Sequence, residues 1–129
     1  MKMKTFLTVN ALFFFPFGVG MLLIPSQIFP LLGVNLDHDG QLMSSTVGSM
    51  LLSFAISCWI ARNENSSSIG VKAVLWSNFS FHFIDFILTG KGAITEVMNP
   101  LGFVFSITHL SFAIGFLYFI NYIRKSNSK

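Results

Sequence analysis

A chain of 129 residues that is 53% hydrophobic, only 10% charged and of mean hydropathy +0.69 lies outside the composition of water-soluble domains, in which about a quarter of the residues are charged. Its formal charge of +3 and pI near 9.3 do not argue for nucleic acid, because the Lys and Arg residues flank long apolar runs and form no patch, the placement that anchors helices at a membrane surface. Cys58 is the single cysteine, which excludes a disulfide framework, a Cys-x-x-Cys pair and a zinc knuckle and leaves a small buried residue as its reading.

The first apolar run, residues 5–24, holds twenty residues without a charge, preceded by Lys2 and Lys4 and closed by Pro25. At 1.5 Å per residue a helix of that length reaches about 30 Å, the thickness of a bilayer's hydrocarbon core. It exceeds the roughly 7–15-residue core of a secretory signal and no Ala-x-Ala-like site follows, so a retained membrane helix is expected, kinked at Pro16. Residues 25–40 carry two prolines, two glycines and the triplet Asp37–His38–Asp39, and are expected to form an interfacial loop or short helix. Adjacent residues cannot all point one way on a helix or strand, so the triplet reads as a solvated turn with Asp39 capping the next helix, and no metal site is assigned.

Residues 41–61 are again uncharged, with Ser45, Ser49, Ser53 and Ser57 recurring at every fourth position. That spacing puts them on one stripe, and small residues on a stripe admit a neighbouring helix closely, so a helix-packing seam is predicted there. A polar link at 62–72 leads to a third run at 73–90. After a short turn the fourth run, 98–123, opens on Asn99–Pro100, where proline suits a helix's first turn, and ends in Arg124, Lys125 and Lys129. The pattern predicts an all-α fold, a single-domain antiparallel up-down four-helix transmembrane bundle over residues 1–129. With the N-terminus inside, seven of the eight Lys and Arg residues fall on one side and only Lys91 on the other, so both termini are expected in the cytoplasm.

In the third run Asn78, His82, Asp85 and Thr89 are spaced 4, 3 and 4 apart; in the fourth, Asn99, Gly102, Ser106, His109 and Ala113 follow 3, 4, 3 and 4. Each set shares one helical face, and ionisable groups in hydrocarbon need partners, so both faces are expected to turn inward. Counting from residues 90 and 98, 1.5 Å per residue places His82 about 12 Å, His109 about 16 Å and Asp85 about 8 Å deep. Asn78, His82, Asp85 and His109 are therefore the candidate intramembrane polar site. It reads either as an internal hydrogen-bond cluster that fixes packing, or as a site in which Asp85 sets a histidine's tautomer for proton relay, metal or a small polar ligand. A haem held by His82 and His109 would rest on two histidines alone, and no cofactor is assigned. No Gly-x-Ser-x-Gly, phosphate-loop or His-Glu-x-x-His pattern occurs, so no catalytic residue is assigned.

The LLIP that closes the first run, the LLGVNLD after it, the STVGSMLLSFAISCWIAR ending in Ala61–Arg62, and the later histidine-bearing runs resemble a broad group of small bacterial four-helix membrane proteins with no reaction assigned to them. Many of that group carry an Arg near the start of the second helix, where Ser45 stands here. The resemblance implies a four-helix bundle in the cytoplasmic (inner) membrane, with the lipid bilayer as its partner. The expected function is a non-enzymatic structural or accessory component, as a homo-oligomer or in a larger membrane complex. The alternative is a small oligomeric transporter or proton-coupled carrier using the His/Asp site.

Overall fold

The computed structural model describes residues 2–126, and these contain helices and turns but no strand. In chain order they are α1 (Met3–Leu23), the short α2 (Pro25–Ile28) with a 3-10 turn (Phe29–Leu32), α3 (His38–Ala61), α4 (Ile69–Ile94) and α5 (Leu101–Ser126). The expected Lys129 lies outside the described residues.

Local chemistry sets the helix ends, and several differ from those the sequence predicts. α1 passes through Pro16 as one continuous helix and stops at Ile24, before Pro25. α3 is capped by Asp37, not Asp39: its Oδ1 accepts from the Gly40 N–H at 2.8 Å, so the helix begins at His38 and Asp39 falls in its first turn, where a carboxylate suits the helix dipole. α4 opens four residues before position 73, because the Ser68 hydroxyl accepts from the Val71 N–H. It also continues past Gly90 to Ile94. Gly90 does not end the helix; it makes room for α5, since a Cβ there would sit 3.0 Å from the Ser106 Oγ. Counted from Ile94 and Leu101, His82 lies about 18 Å, Asp85 about 14 Å and His109 about 12 Å from that end, deeper than expected for the two α4 residues. In residues 25–40, the short α2, the 3-10 turn and the start of α3 occupy most positions.

The long helices pair as two antiparallel hairpins, α1 with α3 and α4 with α5. In the first, Gly18 and Gly48 bring backbones into contact: a Cβ on Gly48 would lie 2.5 Å from the Leu22 nitrogen and 2.8 Å from the Gly18 oxygen. The buried row of α3 is Ser44, Gly48, Leu51, Ala55 and Cys58. The predicted seam of Ser45, Ser49, Ser53 and Ser57 thus does not coincide with the buried row. Ser49 and Ser53 are exposed and Ser45 and Ser57 only half-buried. Their hydroxyls donate to carbonyls of their own helix, among them Ser49 to Thr46 at 2.7 Å and Ser53 to Ser49 at 2.9 Å; Ser45 alone also reaches α1, at the Leu22 carbonyl. A hydroxyl satisfied this way can face lipid without a partner helix, while the 4-3-4-3 row holds to one side of the helix as a strict fourfold repeat does not.

In the second hairpin the Ser106 hydroxyl donates to the Phe86 carbonyl at 2.9 Å, and a Cβ on Gly102 would touch Ala93. Large side chains join the hairpins. Phe6, Leu7, Cys58, Leu75 and Phe116 belong to one buried cluster, with the Phe6 and Phe116 rings edge to face at 4.7 Å. The start of α1, the last turns of α5 and the 62–68 link share this end, where Lys2, Ser66 and Tyr122 line one cavity. At the opposite end Asn99 ties the connector to the α4–α5 turn: its Nδ2 donates to the Leu31 carbonyl at 2.9 Å and its N–H to Leu32 at 2.8 Å. Gly33, at φ 78°, packs against Asn99 where a Cβ would crowd it. Asn99 therefore belongs to this tether and not to a deep polar face.

Three helices, α1, α3 and α5, are long and apolar enough to cross a membrane. α4 matches α5 in length but is interrupted by Asn78, His82 and Asp85, so it falls short of the others in apolarity. Outward positions such as Leu12, Leu42, Ile60, Ile84, Val104 and Ile114 are exposed apolar side chains, the surface a protein presents to lipid rather than water.

Candidate functional site

The inward faces of α1, α4 and α5 meet about halfway along α4. Asn10 of α1 places its Nδ2 2.8 Å from His82 Nε2. On the other edge of the same ring, His82 Nδ1 lies 3.0 Å from His109 Nδ1. The far nitrogen of His109, Nε2, is 3.6 Å from Asp85 Oδ2. Four side chains thus form one row, Asn10–His82–His109–Asp85, that crosses from the first hairpin into the second.

The row fixes proton positions. An amide nitrogen only donates, so with Nδ2 toward it His82 Nε2 must accept, and a neutral His82 then carries its proton on Nδ1. That proton is donated to His109 Nδ1, which leaves the His109 proton on Nε2, facing the carboxylate. Every donor points the same way, and one Asn10 amide orientation sets both tautomers.

Phenylalanines enclose the imidazoles. Phe112 and Phe116 stack on His82 at 5.3 and 5.5 Å, and Phe14 lies against both rings at 4.8 and 5.3 Å. His82 is 1% exposed and His109 4%. Hydrogen bonds in such an apolar enclosure are electrostatically stronger than in water, and an unpaired nitrogen there is correspondingly costly. Asp85 differs: its side chain is 29% exposed, and with Thr89 and His109 it forms the polar end of a cavity of about 190 Å³ otherwise walled by apolar side chains. Phe29, Leu32 and Met98 place that cavity at the connector end. Toward the termini the row is closed by Leu7, Leu75, Cys58 and Phe116, all fully buried.

Of the four residues singled out in the sequence, the structure brings together His82, His109 and Asp85. Asn78 stands apart. It is fully buried one turn from His82, its Nδ2 donates to the Val74 carbonyl at 2.9 Å, and its Oδ1 has no partner. Asn10 was missed, although it is a lone amide in an uncharged apolar run, the same signal that marked Asn78. Thr89 donates to the Asp85 carbonyl at 2.6 Å.

Among the described residues no three His, Cys, Asp or Glu side chains converge as metal ligands; the site residues follow one another in a line. The two imidazoles contact each other directly, ring centres 5.2 Å apart, so a haem between them would require the rings to part. No protein-family model, curated protein or solved structure matches the chain.

Proposed function

We propose that the chain is a multi-pass protein of a bacterial inner membrane, a four-helix bundle with both termini in the cytoplasm, acting as a non-enzymatic structural or accessory component. The observation that carries this reading is the Asn10–His82–His109 row: both nitrogens of His82 and Nδ1 of His109 have hydrogen-bond partners within the fold, and the row fastens one hairpin to the other. Membrane crossing by α4 is supported by its pairing with α5 from Ala93 against Gly102 to Val71 in one cluster with Ile123, and by polar groups that turn toward its neighbours. The orientation is supported by Lys2, Lys4, Arg62, Lys72, Arg124 and Lys125 at the terminal end against Lys91 at the other. Arg62 adds an anchor there, its guanidinium 3.3 Å over the Trp59 ring and donating to the Trp59 carbonyl, as amphipathic side chains do at a membrane face. Reporter fusions at the C-terminus test the orientation: cytoplasmic activity is expected, and a periplasmic C-terminus would overturn it.

A second reading, an oligomeric proton-coupled carrier, is favoured by the exposure of Asp85 to the cavity. It requires a second access route through the plug at Leu7, Leu75 and Phe116, and four helices are few to enclose one without a second copy. Proteoliposomes under a pH gradient separate the readings: proton flux that disappears in Asp85→Leu supports the carrier, whereas the accessory reading expects none.

A further inference from the structure

We propose that the cavity beside Asp85 and His109 binds a membrane-soluble molecule carrying a hydroxylated aromatic ring. This adds a ligand to the scaffold described above and does not depend on its accessory role.

The polar end selects the functional group. His109 Nε2 and Asp85 Oδ2 are 3.6 Å apart, longer than a hydrogen bond, so the N–H and the carboxylate each retain capacity toward the cavity. An oxygen about 2.8 Å from both atoms fits between them. A hydroxyl satisfies the pair at once, accepting from Nε2–H and donating to the carboxylate. A carbonyl accepts from the imidazole but brings a second acceptor against Asp85, a protonated amine has no lone pair for the imidazole N–H, and an anion is repelled by the carboxylate.

The remaining wall selects the ring. Phe14, Phe17, Phe29 and Phe105 line the cavity, and aromatic rings pack favourably edge to face and offset. Its volume of about 190 Å³ exceeds the roughly 150 Å³ of an engineered apolar cavity that takes benzene, which leaves space for one ring and a small substituent. Closure toward the termini leaves the connector end, next to lipid, as the way in.

The test uses phenol and toluene, which match in size and differ in the hydroxyl, on the full-length protein labelled with 15N-histidine in lipid nanodiscs, with free ligand set by dialysis. Phenol is expected to shift the His109 Nε2 resonance and to bind at least tenfold more tightly than toluene. In Asp85→Leu, which keeps the shape and removes the acceptor, the two should bind within about twofold of each other. Equal binding to the unaltered protein, or saturation by phenol without a shift at His109, would overturn the proposal. Met21→Trp, which puts a large ring into the cavity lining and leaves Asp85 unaltered, provides a second measurement should Asp85→Leu not fold: binding of both compounds is expected to vanish, and phenol binding that persists would contradict the assignment.

Discussion

His82 on α4 and His109 on α5 face each other through their Nδ1 atoms at 3.0 Å, and this contact turns two isolated histidines into a directed hydrogen-bonded row. Its direction comes from outside the pair. Asn10, on the other hairpin, supplies the donor that fixes which nitrogen of His82 is bare, and the last N–H in line faces Asp85 from 3.6 Å.

Asn10→Leu should leave His82 Nε2 buried and unpaired. The expected loss is about 1–3 kcal/mol, measured by reversible denaturant unfolding in micelles. In a double-mutant cycle His82→Phe and Asn10→Leu together should destabilise less than the sum of the two single changes, because the second substitution removes the orphan created by the first. Strict additivity would mean that the two side chains are not partners in the membrane.

The α1–α3 contact gives a contrast between two glycines. Gly48→Ala puts a methyl group 2.5 Å from the Leu22 backbone nitrogen, whereas a Cβ on Gly70 meets nothing within 4 Å. The first should destabilise by about 1–3 kcal/mol through overpacking, and the second should be neutral or stabilise by up to about 1 kcal/mol through helix propensity. Thermal unfolding of both variants in the same detergent reads the difference.

The serines of α3 and α5 separate in the same way. Ser49→Ala and Ser53→Ala, outward and bonded to their own helix, should each change stability by less than about 0.5 kcal/mol. Ser106→Ala removes a bond between helices and should cost about 1 kcal/mol. A large effect at Ser49 or Ser53, seen in the same unfolding assay, would restore the seam that the fourfold spacing predicts.

Asn99→Ala should release the connector without disturbing the imidazoles. Amide exchange in residues 25–37 is expected to accelerate while residues 78–90 stay protected, as checked by hydrogen–deuterium exchange mass spectrometry. Uniform acceleration across both segments would show that the tether also supports the polar row.

The helical runs and their polar faces were legible because hydropathy and 3–4 spacing are local properties. His82, Asp85 and His109 announced themselves as ionisable groups in apolar sequence. What ties them to the first hairpin was not legible: Asn10 lies 72 residues from its partner His82, and no spacing rule links positions on separate hairpins. The serine stripe misled because a regular repeat of small residues describes either a packed face or a lipid face, and intrahelical hydroxyl bonds make the second acceptable. The apolar run ends at Gly90, but the helix does not, because a glycine also serves where another helix needs the space. Asp37 and Asp39 were equally good caps by residue type, and only the bond to Gly40 distinguishes them.

The tautomers of His82 and His109 test the row most directly. In 15N spectra of the protein in lipid, His82 should be protonated on Nδ1 and bare on Nε2, His109 protonated on Nε2 and bare on Nδ1, with a through-hydrogen-bond coupling between the two Nδ1 nuclei. The opposite tautomers, or the absence of that coupling in a folded sample, would contradict the account.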